Sequence, residues 1–303
     1  MTTHAISLKV VSLSVLIGFH VACTPLAEVK SFGETTRNVS TLTATCYTTF
    51  NSSLVDARRN TAILNKEPLT PAVLKSPLEA SFKLRVQMLN ALGGYAGTLE
   101  ALATKDTNAE TNESAKSFAS NLNSLSKAYE KSTSRSLGIS PSDVSVLATA
   151  LKVAGNRYTE YKRKQAIKAI VMAVDPSIQK ICTYLPGELR KTGSTLDGFL
   201  QAEVNAQTNV LSSALSTLSP AQAIEQGKKL QELSKRQQDT LPLFEAAANA
   251  IGKVGEAHAK LLVAVETKDF TTSELASALS ELKDYSKEVR EFYDSIKSKE
   301  TVQ

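Results

Sequence analysis

The sequence predicts an all-α protein: an elongated antiparallel bundle of about six to seven long helices with coiled-coil-like packing. Three observations predict it. Of 303 residues only 13 are Gly and 9 are Pro, so long windows of Ala, Leu, Ser, Lys and Glu run without a helix breaker. Apolar residues recur at spacings of three and four, and several stripes keep a seven-residue repeat for two or three heptads. The period-two alternation of half-buried strands is not found.

The first element stands apart from the bundle. In "LKVVSLSVLIGFHVACTP" (Leu8–Pro25), Lys9 and the α-amino group precede the short apolar run Val10–Phe19. A bilayer-spanning helix needs about 20 apolar residues, so this run reads as a secretory signal and not as a membrane span. Its end, Val21-Ala22-Cys23, resembles the lipobox of bacterial lipoproteins, although His20 stands where that family usually has an aliphatic residue. The resemblance implies cleavage after Ala22 and acylation of Cys23. It also implies membrane retention, since one acyl chain anchors marginally and lipoproteins carry more than one. Thr24, in place of the Asp that favours inner-membrane retention in that family, implies the outer membrane, facing the periplasm. An ordinary cleaved signal followed by a chance cysteine is the other reading of the same residues.

This reading divides the chain into a signal peptide (1–22), a tether (23–33) and a helical bundle (34–303). "TPLAEVKSFGE" (Thr24–Glu34) shows no clear period. As a tether it would hold the bundle a few nanometres off the bilayer, at up to about 3.3–3.6 Å per residue.

Within the bundle, helix starts are marked by polar-Pro pairs: Ser76-Pro77, Ser140-Pro141, Asp175-Pro176 and Ser219-Pro220. Each places an N-cap residue before a proline in the first turn. Glu79 and Gln222 complete capping boxes, Asp143 approximates one, and Thr271 with Glu274 marks a further start. The helices so delimited run over about 34–65, 77–104, 109–133, 141–174, 176–218, 220–266 and 272–298. Their stripes include Val39, Cys46, Phe50 and Leu54 in the first, Phe82, Leu89, Leu92 and Leu99 in the second, and Leu275, Leu279, Leu282 and Val289 in the last. Pro186-Gly187 and Pro242 are expected to kink or break their helices. Short connections fold consecutive helices back on one another.

With Cys23 given to lipid, Cys46 and Cys182 remain. In an oxidising compartment an even pair suggests a disulfide closing a loop of more than a hundred residues; two buried, unpaired thiols are the alternative.

Little in the sequence carries catalytic chemistry. His258 is the sole histidine after residue 20. That argues against a two-histidine zinc site, and no His-Glu-x-x-His, di-iron, Walker or dinucleotide motif occurs. In "GEAHAKLL" His258 reads as a surface or interhelical residue. Gly93-Gly94 and Gly97 read as sites of close helix packing. No enzyme activity, metal or cofactor is expected.

One basic cluster stands out: "NRYTEYKRKQAIK" carries Arg157, Lys162, Arg163, Lys164 and Lys168, with Tyr158 and Tyr161 among them. It is either a solvated helix face or a patch for an anionic partner such as a lipid head group or an acidic protein. An exported chain argues against nucleic acid. The formal charge of +5, or +4 without residues 1–22, is compatible with an anionic surface and does not require one. The sequence thus leads to a lipid-anchored envelope protein, a non-enzymatic helical scaffold or partner-binding module attached to another envelope protein or surface. The alternative is a helical protein that remodels or enters membranes.

Overall fold

A computed structural model of the chain describes residues 26–104, 120, 126, 127, 129–131, 134, 136, 160–267 and 269–297. Among the described residues the protein is all-α, without a strand. Its helices are α1 (Ala27–Leu64), α2 (Glu79–Ala103), α3 (Glu160–Ala214), α4 (Pro220–Thr267) and α5 (Ser273–Lys297). The expected helix over 109–133 lies outside the described residues but for a few positions, as does the 141–159 part of the one expected over 141–174, whose remainder belongs to α3.

Cross-helix contacts set directions and register. Down the α3–α4 pair, Lys168 Nζ donates to the Glu266 carbonyl (3.2 Å), Gln179 Nε2 to the Gly255 carbonyl (3.2 Å), Arg190 Nε to Glu245 (2.9 Å) and Gln207 Nε2 to Gln226 (3.4 Å). Each advance along α3 is matched by a retreat along α4, so the two are antiparallel over nearly their whole length. Arg37–Glu100 (3.0 Å) joins the start of α1 to the end of α2, and Lys253–Glu281 (2.9 Å) joins α4 to α5. α1 runs parallel to α3: the Phe32 ring lies on His258, which bonds Asp175, while Asn60 Nδ2 donates to Glu203 Oε1 at 2.7 Å.

The core keeps the heptad seam. On α4 the buried positions include Thr240, Leu243, Phe244, Ala247, Ala250, Ile251, Val254, Ala257, His258, Leu261, Ala264 and Val265, with the small residues Ala246, Ala248 and Gly255 buried beside them. On α3 they include Ile167, Ile170, Val174, Ile178, Ile181, Leu185, Leu189, Leu196 and Leu200. This alternation of three and four keeps one stripe facing its neighbours and gives the coiled-coil-like packing. Each buried Leu, Ile, Val or Phe contributes about 1.5–3 kcal/mol.

Three expectations change. Residues 27–33, assigned to a tether, are the first two turns of α1, and Leu26, Val29 and Phe32 are core residues at 3%, 0% and 0% exposure. Their three-residue period was too short to register beside Pro25 and Gly33. Asp175-Pro176 is no helix start, because α3 continues unbroken through Pro176 and Pro186. Asp175 accepts from His258 and Gln179 instead of capping. Pro176 lies on the exposed face of α3, where water can take up the carbonyl that proline leaves unbonded. Pro242 likewise sits inside α4 on its exposed face.

Ser219-Pro220 stands as a helix start, while Ser140-Pro141 and Asp143 lie outside the described residues. Ser219 and Gln222 form a capping box, with Gln222 N donating to Ser219 Oγ (3.4 Å) and Ser219 N to Gln222 Oε1 (3.0 Å). α5 is capped one residue later than expected, by Thr272 Oγ1 accepting from Leu275 N at 3.1 Å. Ser76-Pro77 does not cap α2: the helix begins at Glu79 with Leu78 as its N-cap and no side-chain cap bond, and Ser76 Oγ accepts from Leu78 N in the turn before it.

Candidate functional site

The end of the bundle where α1 begins gathers the residues of greatest functional interest. α1, α3 and α5 start there, and α2 and α4 finish there. Cys23 and Arg157 lie outside the described residues. The remaining basic residues of the cluster stand on the first turns of α3.

Most of those basic groups have partners within the chain. Arg163 Nη1 donates to the Thr104 carbonyl at the end of α2 (3.4 Å), and Lys168 Nζ to the Glu266 carbonyl in the last turn of α4. Cations at helix carboxyl ends satisfy orphan carbonyls and oppose the negative end of the helix dipole. Lys164 pairs with Glu160 at 2.9 Å and lies 5.5 Å from the centre of the Phe270 ring. Lys162 is exposed. The cluster was legible as basic, but its work as caps on neighbouring helices needed the tertiary structure. Tyr161, among these basic residues, is 68% exposed.

Inside the bundle a polar chain links three helices. Tyr95 Oη and His258 Nε2 are 2.7 Å apart, and His258 Nδ1 is 2.9 Å from Asp175 Oδ1. With a neutral imidazole, Tyr95 donates to Nε2 and Nδ1–H donates to the carboxylate, so both ring nitrogens are satisfied. The His258 ring is wholly enclosed and packs on Phe32 and Tyr95, while 21% of the Asp175 side chain stays exposed. Burial holds the imidazole below its ordinary pKa, against the pull of Asp175. The bond from His258 holds the Asp175 carboxyl low, and burial pushes the Tyr95 phenol up. A ring so enclosed offers no opening for a substrate. The chain joins α2, α3 and α4 as a polar tie within an apolar core. The interhelical placement of His258 was legible, whereas its partners, 83 and 163 residues away, were not.

Cys46 and Cys182 are free and buried, so the disulfide weighed from the sequence does not form in this structure. Phe32 is level with Asp175 across the parallel α1 and α3, which puts Cys46 level with about residue 189, seven positions beyond Cys182. Seven residues of helix rise are about 10 Å, more than the ~7 Å that a disulfide spans between Cα atoms. Burial pushes both thiols up to about 12, which keeps them protonated and inert.

Close packing rests on different glycines from those expected. A Cβ on Gly33 would stand 2.6 Å from the Ala96 carbonyl oxygen and 2.7 Å from the Glu100 nitrogen, so α1 meets the backbone of α2 there. Gly93 and Gly97 also face α1, but a Cβ on either would make only ordinary contacts at 3.5 Å or more.

At the opposite end, a cleft of about 340 Å³ opens where α1 and α5 finish beside the α3–α4 hairpin; Asn60, Glu203, Glu232, Arg236, Asp239 and Ile296 are among its lining residues. No group of His, Cys, Asp and Glu fit to hold a metal occurs among the described residues, and no helix of theirs is long and apolar enough to cross a membrane. No family model matches the chain, and neither does any curated protein or solved structure.

Proposed function

We propose that the chain is a membrane-anchored envelope lipoprotein, cleaved after Ala22 and acylated at Cys23, whose helical bundle is a non-enzymatic scaffold or partner-binding module. The observation that carries this reading is the position of the first core residue. Leu26, 3% exposed, follows Cys23 by three positions, so the lipobox-like signal ends where the packed domain begins. Cleavage after Ala22 would remove the apolar run and leave every described core residue in place. Thr24 favours the outer membrane, with the bundle in the periplasm.

A scaffold role draws on the long helices. The 55 residues of α3 span about 80 Å at 1.5 Å per residue, enough to separate an anchored end from a distal one. The distal α3–α4 hairpin supports the partner-binding role: Val210, Leu215 and Ile224 expose 37%, 53% and 61% of their surface there. Another envelope protein or an anionic envelope surface is the partner class. The membrane-remodelling alternative leaned on the basic cluster, of which Arg163, Lys164 and Lys168 are engaged within the chain. The test is Cys23→Ser. It should release the protein from the membrane fraction and abolish metabolic labelling by fatty acid; retention with undiminished labelling refutes the reading.

A further inference from the structure

We propose that the bundle stands on its membrane by the end where α1 begins, with Tyr161 and Lys162 of α3 seated in the lipid headgroup layer. The proposal rests on acylation of Cys23 and adds to it the docking face and the orientation.

The reach of the chain sets the distance. Three residues lead from Cys23 to Leu26, and at ~3.6 Å per residue they span at most about 11 Å, whatever their conformation. The link cannot lengthen by unwinding α1, because Leu26, Val29 and Phe32 are built into the core. An anchored bundle is therefore held against the bilayer, not several nanometres above it.

Helix register then sets how near Tyr161 and Lys162 stand to the anchor. α1 and α3 run parallel, and Phe32 is level with Asp175 through the His258 ring between them. Six residues earlier in each helix, Leu26 is level with about residue 169. Tyr161, eight residues before that level, stands about 12 Å further in the direction of the anchor. This overhang matches the full reach of the link. With the acyl chains in the bilayer and the bundle upright, Tyr161 and Lys162 come level with the headgroups.

The side chains on that end suit the place. Tyr161 leaves 68% of its surface exposed, and its Oη accepts from Gln165 Nε2 at 2.7 Å. A tyrosine with an apolar ring and a polar tip is a typical interfacial residue. Lys162 beside it is exposed and offers an ammonium to lipid phosphate on a flexible apolar stem. Arg163 and Lys168, tied to the ends of α2 and α4, fix this part of α3 to the bundle.

The experiment uses the full-length acylated protein in vesicles of phosphatidylethanolamine and phosphatidylglycerol. A fluorophore is placed on Tyr161→Cys or, at the far end, on Ile224→Cys; both positions are exposed, and the buried Cys46 and Cys182 stay unlabelled. A nitroxide carried on the lipid head group should quench the label at 161 at least five-fold more than the label at 224. Trypsin should cleave after Lys162 at least ten-fold more slowly on vesicles than in detergent. Equal quenching at both positions, or unslowed cleavage, overturns the upright orientation while leaving the anchor intact. Mass spectrometry of the same samples separates the two claims, since an amino terminus without acyl chains removes the anchoring reading and this proposal with it.

Discussion

His258 Nδ1 stands 2.9 Å from Asp175 Oδ1 across the seam between α3 and α4, one partner fully enclosed and the other in contact with water. The pair makes the fold sensitive to acid. Burial lowers the imidazole's pKa below its ordinary 6.5, so between the lowered value and 6.5 the unfolded chain binds more protons than the native one. Stability is therefore full above about pH 6.5 and falls as the pH drops through the window beneath it. Asp175, held below its ordinary 3.8 by the bond from His258, adds a second loss of the same sign in stronger acid. Urea unfolding of the mature domain at pH 7.5, 6.5 and 5.0 should show the first decline. His258→Leu should be less stable at pH 7.5 by about 1–3 kcal/mol, because Tyr95 and Asp175 lose their partner. It should also lack the decline between 6.5 and 5.0. A wild-type profile that is flat over that range refutes the assignment.

Alanine at Gly33 and alanine at Gly198 should act in opposite directions. At Gly33 the new methyl meets the backbone of α2 at 2.6–2.7 Å, and neither helix can yield locally. Gly33→Ala should cost about 1–3 kcal/mol despite alanine's better helix propensity. Gly198, in α3, has nothing within 4 Å of its Cβ position. Gly198→Ala should stabilise by about 0.5–1 kcal/mol through propensity alone. Thermal unfolding of the two variants checks the contrast, and a stabilised Gly33→Ala would contradict the close α1–α2 approach.

The thiols give a third test. Both are buried and held up to about 12, so the native mature domain should leave Cys46 and Cys182 unmodified by a thiol reagent at pH 8. In denaturant, without reductant, both should react. A domain that shows no free thiol when unfolded would reinstate the disulfide.

The bundle was legible because helical packing repeats its signal. Leu275, Leu279, Leu282 and Val289 on α5 are all core residues, as their spacing implied. α1 was harder to read. Its buried face includes Thr35, Thr36, Ser40 and Thr43, polar residues that dilute the apolar stripe just where the helix begins. Asp175-Pro176 misled for a different reason. The pair has the form of a helix start, and only the proximity of His258 decides where the carboxylate turns. The polar tie of Tyr95, His258 and Asp175 joins three helices distant in sequence, and no local period encodes such a meeting. Capping by Arg163 and Lys168 is hidden in the same way, since the carbonyls they satisfy belong to other helices.

α1 touches each of the other described helices, α5 among them, although more than two hundred residues separate the two in the chain. The first helix to emerge during synthesis thus waits for the last before its apolar face is fully covered. Closing so wide a loop comes before the contacts that reward it, which delays the folding transition state. A nascent chain lacking α5 would leave α1 and α4 with uncovered flanks. The covering of α1, begun by α2, is therefore completed only once α5 has been made.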